Sequence, residues 1–329
     1  MKRVLGLAIL GAFVLAFGLH AARAQATDSA AGYPSRPVKV VIPFAPGGVV
    51  DIMGRLLAQK LSEALGRNFY IDNLGGAGGS IGVANAASSR PDGYTLLMTS
   101  SSFVVNPSLH KKIPYNPYKD FAPVTIAAAS PNILVVNPNV SSKTVKELIE
   151  AIKQKPGTFS FGSPGTGTTP HLSGELFRLS FGLDMVHVPF TGAGPALEAT
   201  VGGHTPIAFS SVPAAVPLIK GGALRALATT SSSRLSTLPD LPTMAEAGAP
   251  GQEAETLLFV MFPVGTPKDI VDLVYRTIAK IVQTKEIKKK FDALGFRPMS
   301  STPEESAVRI KDEIVKWAKV IHDAHIEEQ

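Results

Sequence analysis

Val38-Lys39-Val40-Val41-Ile42, followed directly by Pro43-Phe44-Ala45-Pro46-Gly47-Gly48, is the stretch of sequence that decides the fold. The first run is short and β-branched, which is typical of a buried strand. Proline and glycine make the second run a turn. Apolar residues then recur at helical spacing until Gly66: Ile52, Leu56, Leu57, Leu61 and Leu65. The stretch therefore predicts a strand, a turn and an amphipathic helix.

The same order repeats in the residues that follow. Residues 69–71 predict a strand, residues 74–79 a glycine-rich loop and residues 81–88 a helix. After the turn Pro91-Asp92-Gly93, residues 94–99 predict a further strand. Strands that alternate with helices indicate a parallel sheet with helices on its faces, so we expect an α/β fold.

The chain is long enough for two lobes, since a single core seldom serves more than about 250–300 residues. Residues 124–136 are predicted to be extended and to cross into a second α/β unit, and residues 256–262 to form a strand that returns. We expect a signal peptide at 1–24, a first lobe of 25–126 plus 254–329, and a second lobe of 127–253.

The final helix has a strong start signal. Glu305 lies three residues after Thr302, which is the spacing of a capping box. The helix that follows is predicted to bury four apolar side chains: Val308, Ile314, Trp317 and Ile321.

The first residues have the pattern of a secretory signal. Lys2 and Arg3 precede an apolar run over residues 4–19, and Ala22-Arg23-Ala24 fits the small-residue cleavage site. The run is shorter than the ~20 residues of a membrane-spanning helix. We expect export to the periplasm with cleavage after Ala24, or after Ala26 through Ala24-Gln25-Ala26.

Composition excludes several classes of function. Removal of residues 1–24 deletes Lys2, Arg3, Arg23 and no acid, so the formal charge falls from +6 to +3, which is too small to indicate nucleic-acid binding. The chain has no cysteine for disulfides, thiolate metal sites or a thiol nucleophile. The histidine spacing matches no metal motif, and no Walker A sequence occurs. We expect neither a metal nor a cofactor.

Two features leave an enzymatic alternative open. Gly78-Gly79-Ser80-Ile81-Gly82 matches the G-x-S-x-G elbow of serine hydrolases, although flexible residues separate Ser80 from the preceding strand. His171 follows Thr168-Thr169-Pro170 at a helix start, where it either fixes a loop by hydrogen bonds or acts as a base. A secreted esterase that uses Ser80 is therefore an alternative to a binding protein.

A strand, a glycine-bearing turn and a helix occur once in each predicted lobe. The turns are residues 43–48 and Ser163-Pro164-Gly165-Thr166-Gly167-Thr168-Thr169. Helix N-termini present unpaired N–H groups and partial positive charge, and glycine allows an anion to approach the backbone. Neither turn contains Lys or Arg, so an anion there would be held by dipoles and hydroxyl groups. Ordinary helix starts have the same composition.

In its turns and in several other blocks of sequence, the chain resembles a known family, the Bug-type (TctC-like) receptors of tripartite tricarboxylate transporters. The resemblance covers nearly the whole mature chain in ordered blocks: residues 43–48 with Asp51 and Arg55, Asn73 with residues 76–82, residues 91–97, 120–124, 162–167, 171–172, 175–177, 187–192, 225–228, 239–246 and 265–267.

The resemblance implies a type II periplasmic-binding-protein fold with a ligand cleft between two lobes, and binding without catalysis. The implied partners are a small carboxylate and the membrane subunits of a transporter, and the implied state is a monomer. The ligand-binding residues that it implies are Phe44, Ala45, Pro46, Gly47, Gly48, Asp51, Gly78, Ser163, Thr166, Gly167 and Thr168, with Phe190 and Thr191 on the wall. A partner of a signalling system instead of a transporter is an alternative.

The chain departs from the family pattern at several positions. Asn73-Leu74-Gly75 replaces a more usual Asn-Arg-Pro, and Val50 stands where threonine is common. The Trp-x-Gly of the returning strand is replaced by Leu257-Leu258-Phe259. This replacement predicts a more apolar pocket that favours a monocarboxylate with an aromatic or alkyl body.

Overall fold

The structure, a computed structural model, describes residues 30–46 and 49–326. The predicted signal peptide, Gly47 and Gly48 lie outside the described residues. The strands are β1 (Val38–Ile42), β2 (Phe69–Asn73), β3 (Thr95–Thr99), β4 (Phe121–Val136), β5 (Phe159–Ser163), β6 (Met185–Pro189), β7 (Ile207–Ser211), β8 (Arg225–Thr229), β9 (Glu255–Pro263) and β10 (Arg297–Pro298). The helices are α1 (Val49–Leu65), α2 (Ser80–Ala87), α3 (Ser102–Leu109), α4 (Val145–Gln154), α5 (Thr169–Phe181), α6 (Ala193–Val201), α7 (Val212–Lys220), α8 (Lys268–Gln283), α9 (Lys285–Ala293) and α10 (Pro303–Asp323), and a 3-10 turn at Ala77–Gly79 precedes α2.

The strands form two sheets that share β4. In the first sheet the order is β2-β1-β3-β9-β4, with β1, β2 and β3 parallel and β9 antiparallel to both neighbours. In the second sheet the order is β4-β7-β5-β6, and β8 pairs with β4 as well. Strand β4 is continuous, with Phe121 to Pro131 paired to β9 and Asn132 to Val136 paired to β7. The predicted α/β fold with two lobes is thus confirmed, while the division at 126/127 and 253/254 stays a prediction.

Apolar side chains alternate between the two faces of each strand, as a sheet covered on both sides requires. In β1, Val40 belongs to a core beneath α1 and α8, whereas Val41 belongs to a core beneath α3 and α10. In the second half of β4, Leu134 packs with α4 and α5, and Ile133 packs with α6 and α7. Four apolar layers therefore position the two sheets.

The capping box of the last helix is present, because Thr302 accepts from the Glu305 backbone and the Glu305 side chain accepts from the Thr302 backbone. Ile314, Trp317 and Ile321 are buried, as predicted. The prediction for Val308 is wrong, since this side chain is 58% exposed and Ile310 is buried in its place.

The chain passes between the sheets twice, and the two passages are joined by hydrogen bonds. The side chain of Asn132, in β4, donates to the carbonyl of Ala254 just before β9, at 3.2 Å, and to the hydroxyl of Ser173 at 3.0 Å. The backbone of Thr230, just after β8, donates to the Asn132 carbonyl at 2.9 Å and accepts from the Ala254 backbone at 3.1 Å. The two passages are therefore bonded to each other at these three residues.

None of the helices in the described residues has both the length and the apolar composition that a membrane crossing requires.

Candidate ligand-binding site

A cavity of about 510 Å³ lies between the two sheets, at the edges where their parallel strands end. This volume is within the ~300–1,000 Å³ range of small-molecule sites. Both halves of the chain contribute to its walls: Phe44, Val49, Ala77, Gly78, Ser100, Ser102, Asn106, Leu109, His110, Pro164, Thr166, Gly167, Thr168, Thr169, Pro170, Ala193, Ser211 and Thr256.

Helix N-termini converge on this cavity, because each parallel strand ends at the sheet edge where the next helix begins. Among the described residues, five α-helices and the 3-10 turn reach it with their first residue or the cap before it: Val49 of α1, Ala77 of the 3-10 turn, Ser102 of α3, Thr169 of α5, Ala193 of α6 and Ser211 before α7. Each terminus adds unpaired N–H groups and part of a positive charge. The cavity is therefore suited to an anion.

Ionisable side chains are scarce in these walls. Among the described lining residues, His110 is the only one with an ionisable side chain. Hydroxyl groups are frequent instead, on Ser100, Ser102, Thr166, Thr168, Thr169, Ser211 and Thr256. Attraction for an anion at this site comes from backbone dipoles and hydroxyl donors, which agrees with the pattern of the two turns in the sequence.

The first turn is held from behind by a hydrogen-bonded network. The amide of Asn73 donates to the Phe44 carbonyl at 3.0 Å and to the Asp51 carboxylate at 2.9 Å. The guanidinium of Arg55 donates to the same carboxylate at 2.9 Å and to Asn73 at 3.1 Å. Asp51 is 3% exposed and does not line the cavity. Its carboxylate shapes the turn.

Gly78 and Gly79 place the 3-10 turn beside Phe44. Gly79 has a φ of +96°, and a Cβ there would lie 3.2 Å from the Phe44 ring. The Asn106 amide donates to the Gly78 carbonyl at 3.0 Å and to the Ser80 hydroxyl at 3.2 Å. Ser80 is 4% exposed, and none of the hydrogen bonds within the described residues joins it to a histidine. The elbow motif thus serves to fix this turn.

The second turn is closed by its own hydrogen bonds. The Thr168 hydroxyl donates to the Gly165 carbonyl at 2.7 Å and caps α5 by accepting from the His171 backbone at 3.4 Å. Thr166, at the tip, makes no hydrogen bond to another described residue and lines the cavity. The free groups of Thr166 therefore face the space that a ligand would occupy.

Two histidines, of which His171 is buried and His187 is partly buried, support this turn from beneath. The Gly167 N–H donates to His171 Nδ1 at 3.1 Å, and the Ser163 hydroxyl lies 2.7 Å from His187 Nε2. Burial lowers the pKa of His171 to about 3, with the neighbouring His187 and Arg178 adding to the shift. Burial also lowers the pKa of His187 to about 4. Both rings are therefore neutral at ordinary pH.

The structure brings together five of the predicted ligand-binding residues in the cavity wall: Phe44, Gly78, Thr166, Gly167 and Thr168. The others that it describes stand outside the wall. Ala45 and Pro46 are exposed on the first turn, and Asp51 and Ser163 are buried behind the turns. Phe190 donates from its backbone to the Ser163 carbonyl at 3.0 Å, and Thr191 next to it is exposed.

Sequence reasoning missed the contribution of α3 and of the residues directly before and after it. Ser100, Ser102, Asn106, Leu109 and His110 all line the cavity. The available signal was the polar run Thr99-Ser100-Ser101-Ser102 directly after a buried strand. The helix itself was hidden, because Pro107 lies inside it and its apolar residues are not periodic.

Leu257, Leu258 and Phe259 do not reach the cavity. They are 1%, 5% and 1% exposed and belong to the two cores of the first sheet. Only Thr256, at the start of β9, lines the cavity from this strand. This departure from the family pattern therefore gives no support for a more apolar pocket.

A larger depression, of about 950 Å³, lies on the second sheet beside β8. Lys143, Lys146, Arg225, Asp240 and Glu246 are among its lining residues, so charges of both signs surround it. The described helices begin there only at α4. The cavity between the sheets is the better candidate, because it combines convergent helix N-termini with walls from both halves of the chain.

Two sheets joined by two chain passages, with a cavity where their helix N-termini meet, define the class of two-lobed solute-binding proteins. The family model for the tripartite tricarboxylate transporter family receptor, TctC, matches residues 53–326. The chain belongs to this family, whose members are periplasmic binding receptors and not enzymes, and it is a solute-binding receptor. The resemblance noted from the sequence is confirmed.

Relatives and solved structures agree with this assignment. The BugT protein of Bordetella pertussis is 39% identical over 319 residues, with 96% of each chain covered. A Rhodopseudomonas palustris protein solved with adipate has a TM-score of 0.79 and 34% identity, over 89% of this chain and 98% of that one. MatC from the same organism, solved with bound malate, has a TM-score of 0.74 and 30% identity, over 88% of this chain and 100% of that one.

Proposed function

We propose that this chain captures a small carboxylate in the cavity between its lobes and presents it to the membrane subunits of a tripartite tricarboxylate-type transporter. The convergence of helix N-termini on a cavity without acidic side chains in its described walls carries this proposal. The adipate and malate bound to two relatives support it.

The two turns would grip one carboxylate from opposite sides. Thr166 supplies a backbone N–H and a hydroxyl that have no hydrogen-bond partner among the described residues, and the N-terminus of α5 adds the N–H of Thr169. Gly78 approaches from the first lobe. Charge-assisted hydrogen bonds of this kind are about twice as strong as neutral ones.

The rest of the ligand would lie between an apolar and a polar wall. Phe44, Val49 and Leu109 offer apolar contact, as an alkyl or aromatic body requires. Ser100, Ser102, Ser211 and Thr256 offer hydroxyls, and His110 offers a ring N–H. An acid with a second polar group uses both walls, so the chain favours a dicarboxylate or hydroxy acid over a plain hydrocarbon acid.

Closure of the two lobes around the ligand would give a conformation that the transporter can recognise. The passages at Asn132, Thr230 and Ala254 act as the hinge, and the closed form docks on the transporter as a monomer. The protein is exported by its signal peptide, with cleavage after Ala24 or Ala26. Within the described residues nothing favours the esterase alternative, because Ser80 is buried and none of its hydrogen bonds there joins it to a histidine.

Thermal-shift measurements with malate, adipate, benzoate and acetate test the proposal. A ligand that binds only the folded state raises Tm, by an amount equivalent to about 2.7 kcal/mol at a hundred times Kd. Thr166→Ala removes the free hydroxyl and should reduce the shift, whereas Thr158→Ala, an exposed threonine remote from the cavity, should not. Equal shifts in the two variants, or ester turnover by the wild type, would contradict the proposal.

A further inference from the structure

The pair His171 and His187 is not accounted for by ligand contact, since neither ring lines the cavity. Their imidazole rings stack with centroids 3.8 Å apart, beneath the turn that carries Thr166. His171 is 2% exposed. Each ring holds one residue of the turn, Gly167 or Ser163. These two hydrogen bonds indicate that the histidines act on the position of the turn.

The hydrogen bond from Gly167 fixes the protonation of His171. A nitrogen that accepts an N–H donor has no proton of its own, so Nδ1 is bare and the proton of the neutral ring is on Nε2. Nε2 lies 3.8 Å from a carboxylate oxygen of Glu175. A proton on Nδ1 would place two donors face to face and break the bond to Gly167.

The charged and titratable groups around His171 come from two elements in the described part of the chain. His187 faces it from β6, and Glu175 and Arg178 belong to α5. Arg178 donates to Glu175 at 2.7 Å, which leaves little of that negative charge for a protonated imidazole. A positive charge on His171 would lie against the stacked His187 ring. His187 and Arg178 therefore both favour the neutral form of His171.

The turn has little freedom once it is placed. Gly167 has a φ of +77°, and a Cβ there would lie 2.3 Å from the Leu109 side chain of the first lobe. Backbone of the second lobe therefore passes directly against α3 at this point. A small displacement of Gly167 changes both this contact and the direction of the adjacent Thr166.

We propose that His171 is a positioning residue, whose unprotonated Nδ1 holds the Gly167 amide and thereby orients Thr166 toward the ligand. Protonation of His171, or loss of its acceptor, releases the turn and weakens binding. This inference rests on the proposed function in one respect, namely that the turn contacts the ligand.

Nitrogen NMR of the ligand-free protein tests the first part without any ligand. We expect the His171 ring to show a bare Nδ1 and a protonated Nε2 at pH 7, with the Gly167 amide protected from exchange. The His171 signals, assigned by their absence in His171→Asn, should not titrate between pH 8 and pH 5.5. A titration near pH 6.5, a protonated Nδ1 or an unprotected Gly167 amide would overturn the inference.

Two variants test the second part, with the most tightly bound of malate, adipate, benzoate and acetate as the probe. His171→Leu removes the acceptor and should weaken binding about tenfold or more, since a donor is left without a partner. His171→Asn keeps an acceptor oxygen at the reach of Nδ1 and should bind within about threefold of the wild type. His204→Asn, on an exposed histidine, is the matched control and should bind as the wild type.

The outcomes separate the two proposals. Equal affinity in wild type and His171→Leu would overturn the positioning role, and so would an equal loss in His171→Asn. If His171→Leu fails to fold, two measurements still test the positioning role. These are the affinity of His171→Asn relative to the wild type and the exchange rate of the Gly167 amide. If none of the four acids binds the wild type, the proposed function fails for these acids, whereas the NMR result on His171 stands by itself.

Discussion

The side-chain amide of Asn132 lies 3.2 Å from the carbonyl oxygen of Ala254, so the strand that leaves the first sheet is bonded to the segment that returns to it. The same amide also donates to Ser173 of α5. A residue that is 0% exposed therefore joins both passages between the sheets to α5.

Asn132→Ala should lower the free energy of unfolding by about 2–3 kcal/mol, because it leaves the buried carbonyl of Ala254 and hydroxyl of Ser173 with fewer partners. Urea denaturation followed by circular dichroism measures this loss. Asn139→Ala, on an exposed residue a few positions along, is the control and should change stability by less than about 0.5 kcal/mol. A loss for Asn132→Ala that is no larger than for the control would contradict this role of the amide.

Gly167→Ala should reduce both stability and ligand affinity. The new Cβ would lie 2.3 Å from Leu109, at a φ of +77° that alanine rarely adopts. Gly222→Ala separates the two causes, because Gly222 has a φ of +74° and no neighbouring atom lies within 4 Å of the position that its Cβ would take. We expect Gly222→Ala to lose about 1 kcal/mol of stability and no affinity. Melting curves and calorimetric titration make the comparison, and equal effects of the two changes would refute the close contact.

Acid should destabilise the protein through the buried side chain of His171. The folded-state pKa of His171 is about 3, against an ordinary value of 6.5, so the unfolded chain binds more protons below pH 6.5. Stability is thus full above pH 6.5 and is lost as the pH falls toward 3. His171 alone should lower the free energy of unfolding by about 2 kcal/mol between pH 7 and pH 5.

The raised pKa of Glu175 acts in the opposite sense, because its folded form binds more protons than the unfolded chain. Urea denaturation at pH 7 and pH 5 of the wild type and of His171→Asn isolates the histidine from this and other groups. The variant should lose less stability on acidification. Identical losses would show that His171 does not remain neutral in the folded protein.

Ser80→Ala should behave as the loss of one hydrogen bond and not as the loss of a nucleophile. The Asn106 amide loses one of its two acceptors, which should cost about 1 kcal/mol of stability. The acid that binds the wild type should still bind the variant. Hydrolysis of a generic ester by the wild type, abolished by Ser80→Ala, would be the opposite result.

Those parts of the fold and the site with local signals could be predicted from the sequence. The two turns that contain Phe44 and Thr166 could be identified because each combines proline and glycine between a β-branched or aromatic strand and an amphipathic helix. The capping box at Thr302 could be identified for the same reason. In each of these cases, all the residues that form the pattern lie within about ten positions of one another in the sequence.

The remainder depends on pairing between distant segments. Thr256 lines the cavity because β9 inserts between β3 and β4, which nothing near Thr256 in the sequence indicates. The supporting roles of Asp51 and Ser163 depend on partners such as Asn73 and His187. In α10 the buried series is Ile310, Ile314, Trp317 and Ile321, and Val308 lies off this series although it is apolar.

The peptide backbone at the helix starts supplies the part of the attraction for an anion that is inherited with the fold, and hydroxyl groups such as that of Thr166 add to it. Substitutions in the walls can therefore alter which acid is preferred while general affinity for acids is retained. Receptors that share this fold can therefore differ in the acid they hold, as the related structures solved with adipate and with malate do.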